Sequence, residues 1–172
     1  MNQVLERLAR LFEYPGEDYV RRCHEAGLDV FAAEVAALGT TGLQELFVGT
    51  FDWNPSASLD LGWHLYGEQY QRGEFLVEMR DRLSRYGIAE TGELPDHITH
   101  VLAVVARMDA EAADRFSRDY AAPAVAKLLA ALEHSHSPFA APVRAVREEL
   151  PVEVPLPAVK TELPILREEG TL

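Results

Sequence analysis

Through the first 150 positions apolar residues recur every three or four places, and alternating β-branched runs do not appear. That spacing lines one face of an α-helix. Val4, Leu5, Leu8, Leu11 and Phe12 form the first stripe, with Asn2 as N-cap and Tyr14-Pro15-Gly16 as the stop. A short second helix turns Tyr19, Val20 and Cys23 inward and ends at Gly27. The third begins at Asp29 and is expected to bury Val30, Phe31, Val35 and Leu38 before Gly39. Thr40 or Thr41 caps a fourth, with Leu43, Leu46, Phe47, Thr50 and Phe51 toward the core.

From Asp52 to Ser58 the periodicity stops. Asn54, Pro55 and two serines read as a loop, and Ser56 or Ser58 caps a short helix through Tyr66. A longer helix from about Glu68 to Tyr86 carries Tyr70, Phe75, Leu76, Met79, Leu83 and Tyr86 on its apolar face. After a linker at 88–93, Pro95 suits the first turn of the next helix and Asp96 complements its dipole. Ile98, Val101, Leu102 and Val105 continue that stripe. Asp109 restarts the pattern with Ala112, Phe116 and Tyr120 inward, and Pro123 opens a helix bearing Val125, Leu128, Leu129 and Leu132. Ser137-Pro138 reads as cap and first position of a last helix with Phe139, Val143 and Val146. Pro151, Pro155, Pro157 and Pro164 then preclude a continuous helix. The expectation is an all-α fold: a single helical domain of about eight to ten helices over residues 1–150, and a proline-rich extended C-terminal tail over 151–172.

Composition narrows the class. The chain has 172 residues, 48% of them apolar, which suffices for a core of ordinary size. No run approaches the ~18 apolar residues that cross a bilayer. The start, Met1-Asn2-Gln3-Val4-Leu5-Glu6, lacks the basic-then-apolar layout of a secretory signal. The lone cysteine, Cys23, leaves no intramolecular disulfide and no cysteine zinc site. These features fit a cytoplasmic protein. A formal charge of −12, with Lys127 and Lys160 as the only lysines, repels phosphate backbones, so no nucleic-acid partner is expected. Such a surface suits a basic partner, chiefly through association rate and specificity.

Candidate chemistry points to binding. His97 and His100 lie three apart on one expected helix, and His134 and His136 sit at a helix end. A zinc site needs three or four converging ligands, and the sequence offers pairs. Asp52, Asp60, Glu68 and Asp96 are acid–base candidates by location alone. Gly62, Gly67 and Gly73 lack the Lys and Ser/Thr partners of a phosphate loop. No catalytic residue, metal or cofactor is therefore expected. The alternative of another class is a small metalloenzyme using His64, His97 and His100.

Aromatic, acidic and basic groups crowd into Phe51-Asp52-Trp53-Asn54-Pro55, His64-Leu65-Tyr66-Gly67-Glu68 and Arg72-Gly73. On a helix continuing through Gly67, His64, Glu68 and Arg72 would share one face. A surface ladder of that kind is worth under ~1 kcal/mol per pair. The neighbouring Trp53, Trp63 and Tyr66 favour a groove, because large aromatics with a polar edge anchor binding sites.

At these residues the sequence resembles the nitrate reductase delta-subunit family, the molybdenum-cofactor assembly chaperones. The resemblance is carried by Leu43-Gln44-Glu45-Leu46-Phe47-Val48-Gly49-Thr50-Phe51-Asp52, Pro55-Ser56-Ala57-Ser58-Leu59, His64-Leu65-Tyr66-Gly67-Glu68, Arg72-Gly73, Glu93-Leu94-Pro95-Asp96-His97, Val101-Leu102 and Ser137-Pro138-Phe139-Ala140. It spans about residues 1–150. Gly49 stands where members of the family often carry an acidic residue. The resemblance implies an all-helical, non-catalytic cytoplasmic chaperone. Its partner would be the catalytic (alpha) subunit of a molybdoenzyme, most simply a respiratory nitrate reductase, bound by its N-terminal peptide during molybdenum cofactor insertion and complex assembly. Any membrane association would be indirect, through the client complex. Candidate peptide-binding residues are Phe51, Asp52, Trp53, His64, Tyr66, Glu68 and Arg72 in one patch and Leu94, Asp96 and His97 in a second. Rival readings are a chaperone for a sulfoxide or N-oxide reductase, and a structural subunit retained in the mature complex.

Overall fold

A computed structural model describes residues 1–152 of the chain. Among them the α-helices are α1 (Gln3–Ala9), α2 (Tyr19–Glu25), α3 (Asp29–Ala36), α4 (Gly39–Phe51), α5 (Leu61–Tyr66), α6 (Tyr70–Arg85), α7 (Ile98–Arg107), α8 (Ala110–Phe116), α9 (Ala122–His134) and α10 (Ala140–Glu149). No β-strand occurs among the described residues, and no helix there is long and apolar enough to cross a membrane. The expected all-α fold is observed. The expected tail, from residue 153 onward, lies outside the described residues.

α7 and α9 carry the densest apolar faces. Ile98, Val101, Leu102, Val104 and Val105 of α7 are buried, as are Val125, Leu128, Leu129 and Leu132 of α9. α1 packs against α7 and α10, while α9 packs against α10 and α5. Asn2 caps α1 as expected, its side chain accepting from the amides of Val4 and Leu5. The start of α10 is pinned by aromatic packing. Phe139 lies 5.0 Å from Phe51, 5.6 Å from Phe47 and 5.7 Å from Phe31, centroid to centroid, so α3 and α4 share one anchor.

Several local expectations are corrected. Val4, Val30, Leu38 and Tyr70 face solvent: the core stripes of α1, α3 and α6 are narrower than the sequence pattern, and Leu38 falls between α3 and α4. Ser137 accepts from the Phe139 amide in a turn, and α10 begins at Ala140, later than the Ser-Pro signal. Between α8 and α9 there is no break. A π-helical turn, Ser117–Ala121, joins them into one rod. Pro123 has no amide to donate, and a locally widened helix accommodates it.

Two corrections shape the surface described next. α5 stops at Gly67, where φ is +56° and ψ is −127°, and the Gln69 amide donates to the Tyr66 carbonyl at 3.0 Å. That is a tight turn of the type that places glycine at its first central position. His64, Glu68 and Arg72 therefore do not share a helical face. In addition, Pro95 and Asp96 precede α7 instead of opening it, and His97 is the N-cap, its side chain accepting from the Thr99 amide.

Candidate functional site

Two segments distant in sequence meet before α5 and α7. The Leu61 amide donates to the Asp96 carbonyl at 2.9 Å, and the Ile98 amide donates to the Leu59 carbonyl at 2.8 Å. Asp60 and His97 thus face each other in an isolated antiparallel bridge. This pairing overrides the helical start expected at Pro95, because it uses the backbone groups around Asp96.

The bridge turns the Asp96 side chain inward, where it is fully buried. Arg72, delivered by the Gly67 turn into the start of α6, answers it. Its Nε donates to Asp96 Oδ2 at 3.2 Å, and its Nη2 donates to Asp60 Oδ2 at 3.3 Å. The guanidinium also lies over the Trp63 ring, 5.7 Å from the centroid. Asp96 approaches the helix so closely that a Cβ on Gly62 would fall 2.4 Å from Oδ2. Asp96 Oδ1 is buried with no hydrogen-bond partner. Burial pushes the Asp60 carboxyl above the usual carboxylate range; the Asp96 and Glu93 charges add to this and Arg72 opposes it.

Outside this clasp runs a trough made of three depressions that share walls. The first, about 490 Å³, lies between α1, α7 and the 88–93 linker. The second, about 290 Å³, shares Phe12, Tyr14, Glu93 and His97 with it and extends to Phe47, Phe51 and Asp60. The third, about 240 Å³, continues past Asp52 and Asp60 to Asn54, Trp63 and Arg72. Carboxylates recur along its length: Glu6, Glu13, Glu93, Asp60 and Asp52. Its arginines are Arg10, Arg107, paired with Glu6 at 3.6 Å, and Arg72, paired with the two aspartates, while Glu13 pairs outward with Arg22 at 2.6 Å; carboxylates outnumber arginines along the lining. The trough is therefore aromatic and acidic.

The candidate residues divide between these surroundings. Phe51, Asp52, Arg72 and His97 line the trough. Asp96 lies beneath it as the buried partner of Arg72. Trp53, 81% exposed, faces a separate shallow depression of about 390 Å³ on α4, which meets the trough at Tyr14. Tyr66 packs against Phe75, with centroids 5.9 Å apart, on a different side. Glu68 is exposed in the Gly67 turn and Leu94 is partly exposed beside the bridge.

His64 is buried, with Nε2–H donating to the Ser58 carbonyl at 2.7 Å, and burial lowers its pKa. His100 donates from Nδ1 to the Leu94 carbonyl at 2.8 Å and accepts the Thr91 amide at Nε2. His97 accepts the Thr99 amide at Nδ1, and burial, reinforced by His100, lowers its pKa to about 4. The three rings thus hold loops in place. Among the described residues no group of three or more His, Cys, Asp or Glu is arranged to hold a metal ion, which removes the arrangement that the metalloenzyme alternative requires.

Glu6, Glu13, Tyr14 and Glu93 were not among the expected site residues. The available signal for the first two was their i, i+7 spacing on the polar face of the first helical segment. Glu93 sits in a linker, where periodicity says nothing.

The described residues thus form an all-helical body that carries an acidic and aromatic trough. The chain belongs to the nitrate reductase delta subunit family, whose model matches residues 17–145. It is 27% identical over 139 residues to the nitrate reductase molybdenum cofactor assembly chaperone NarJ of Escherichia coli K12, and equally to that of Escherichia coli O157:H7. The match covers 80% of this chain and 56% of each relative, so the chain spans little more than half the length of those proteins.

Proposed function

We propose that this protein is a non-catalytic, cytoplasmic assembly chaperone that holds the N-terminal segment of a molybdoenzyme catalytic subunit during molybdenum cofactor insertion. Membership of the delta subunit family supports the chaperone class, and the name of the NarJ relatives supports a nitrate reductase as client. The observation that carries the site is the continuous trough from Arg107 and Glu6 to Asp52 and Arg72. Its carboxylates suit the basic side chains of an amphipathic segment, and Phe12, Tyr14, Phe47 and Phe51 suit its apolar ones. Residues 1–150 act as the docking domain, with 151–172 as an appended tail.

The test is calorimetric titration of the full chain with the N-terminal peptide of the nitrate reductase catalytic subunit. Corresponding peptides from sulfoxide and N-oxide reductases serve as competitors. A sub-micromolar Kd, equivalent to more than about 8 kcal/mol, is expected for the nitrate reductase peptide alone. Absence of binding to all three by folded protein would overturn the chaperone reading. Preference for another peptide would reassign the client.

A further inference from the structure

Arg72 is divided between two carboxylates and completes a paired grip on neither. Its Nε and Nη2 share one edge of the guanidinium, the edge that can hold both oxygens of a single carboxylate. Here Nε donates to Asp96 Oδ2 at 3.2 Å and Nη2 donates to Asp60 Oδ2 at 3.3 Å, both long for bonds between charged groups. Asp96 Oδ1 is left without a hydrogen-bond partner on a side chain that has no exposure to solvent. A buried carboxylate oxygen left unanswered is an unfavourable state to maintain.

The two aspartates differ in access. Asp96 is sealed beneath the trough, whereas the Asp60 side chain is 28% exposed and lines both the second and the third depression. Those depressions carry Asp52, Asp60 and Glu93 against Arg72, with His97 held neutral by burial. Asp60 is left short of positive charge. Burial and the Asp96 charge push its carboxyl upward against the pull of Arg72, and Glu93 adds to the rise. Phe51, Pro55 and Trp63 stand beside it as apolar wall. An acidic notch with such walls suits an organic cation carried on an aliphatic stem.

We propose that Asp60 is an exchangeable partner: the cationic head of a basic side chain from an incoming peptide takes its carboxylate, and Arg72 then turns its whole Nε–Nη2 edge onto Asp96. The Trp63 ring, 5.7 Å from the guanidinium, gives it a face to turn against. The exchange supplies Asp96 Oδ1 with a donor, so filling the notch tightens the clasp under the trough. That the cation comes from a client's N-terminal segment rests on the proposed function; the exchange itself does not.

The experiment follows the Arg72 Nε–H signal by heteronuclear NMR of the full chain, the signal being identified by its loss in Arg72→Lys. The probe is N-acetyl-argininamide. N-acetyl-citrullinamide, of the same shape without the charge, is the control at equal ionic strength. A saturable shift is expected with the first and none with the second. Asp60→Asn neutralises the same carboxylate, so it should place the resting Arg72 signal near the saturated position of the parent and weaken the probe at least tenfold. Asp81→Asn removes an equal charge from an exposed position on α6 and should titrate like the parent. The Leu61 and Ile98 amide signals report whether the bridge stays formed in each variant. Should Asp60→Asn lose the bridge, the parent's responses to the charged and uncharged probes decide alone. An unresponsive parent, equal responses to both probes, or an Asp60→Asn chain that titrates like the parent overturns the exchange and leaves the chaperone reading standing. Failure of every client peptide to bind, with the Arg72 response present, does the reverse.

Discussion

Gly62 is the residue on which the Asp96–Arg72 clasp most directly depends. A methyl group there would overlap Asp96 Oδ2 and meet Phe75 at 3.0 Å, and Asp96 is held in place by the bridge on its backbone and by Arg72 on its carboxylate. Gly62→Ala should therefore destabilise the fold by about 1–3 kcal/mol, read as a lower urea midpoint with unchanged m value. His97 contributes to the acid sensitivity of the fold. Its pKa falls from 6.5 to about 4 because the ring is buried, so the folded state prefers it neutral. The unfolded chain binds the proton more readily between those values, and stability rises with pH across that window. The contribution is complete above about pH 6.5 and is lost as pH falls toward 4, by about 3 kcal/mol in all. His64 acts in the same direction, and the raised Asp60 carboxyl opposes both. Urea titrations at stepped pH should show this slope in the parent chain and a shallower one in His97→Gln.

The Gly67 turn has a similar role among the elements, since it aims α6 so that Arg72 reaches the bridge. A side chain at φ +56° and ψ −127° is strained, and Gly67→Ala should cost about 1–3 kcal/mol in urea unfolding. The elements also show what the sequence made legible. Helix existence, the Asn2 cap and the core stripes of α1, α7 and α9 were readable because each depends on neighbours within a few residues. The start of α7 was not, because the Pro95 signal yields to a backbone pairing with Leu59 and Leu61. The α8–α9 rod was hidden behind Pro123, a residue that ends most helices unless a wider turn absorbs it. At the site, Asp52 and Arg72 were legible as members of a dense polar-aromatic run. Glu6 and Glu13 were obscured because a carboxylate on a solvent-facing helix position looks the same whether or not a trough lies beside it.

Across the whole molecule the formal charge is −12, and the trough shares that sign, lined by Glu6, Glu13, Asp52, Asp60 and Glu93 against Arg10, Arg72 and Arg107. On the proposed function, a basic client segment should be steered to it over a distance set by ionic screening. Stopped-flow association of the client peptide should slow markedly from low to physiological salt, while dissociation changes little. An association rate indifferent to salt would leave the aromatic walls as the sole basis of recognition.

The two-bond bridge between Leu59–Leu61 and Asp96–Ile98 has a consequence in time. It is the shortest backbone tie between the chain entering α5 and the chain entering α7, and the Leu61 and Ile98 amides sit in it at 2.9 Å and 2.8 Å from their acceptors. Those two protons can trade with deuterium only when the tie parts. Their exchange is thus a built-in clock for the seam beneath the trough. If the two tick together and more slowly when a client is bound, the seam opens as a single event that the client restrains.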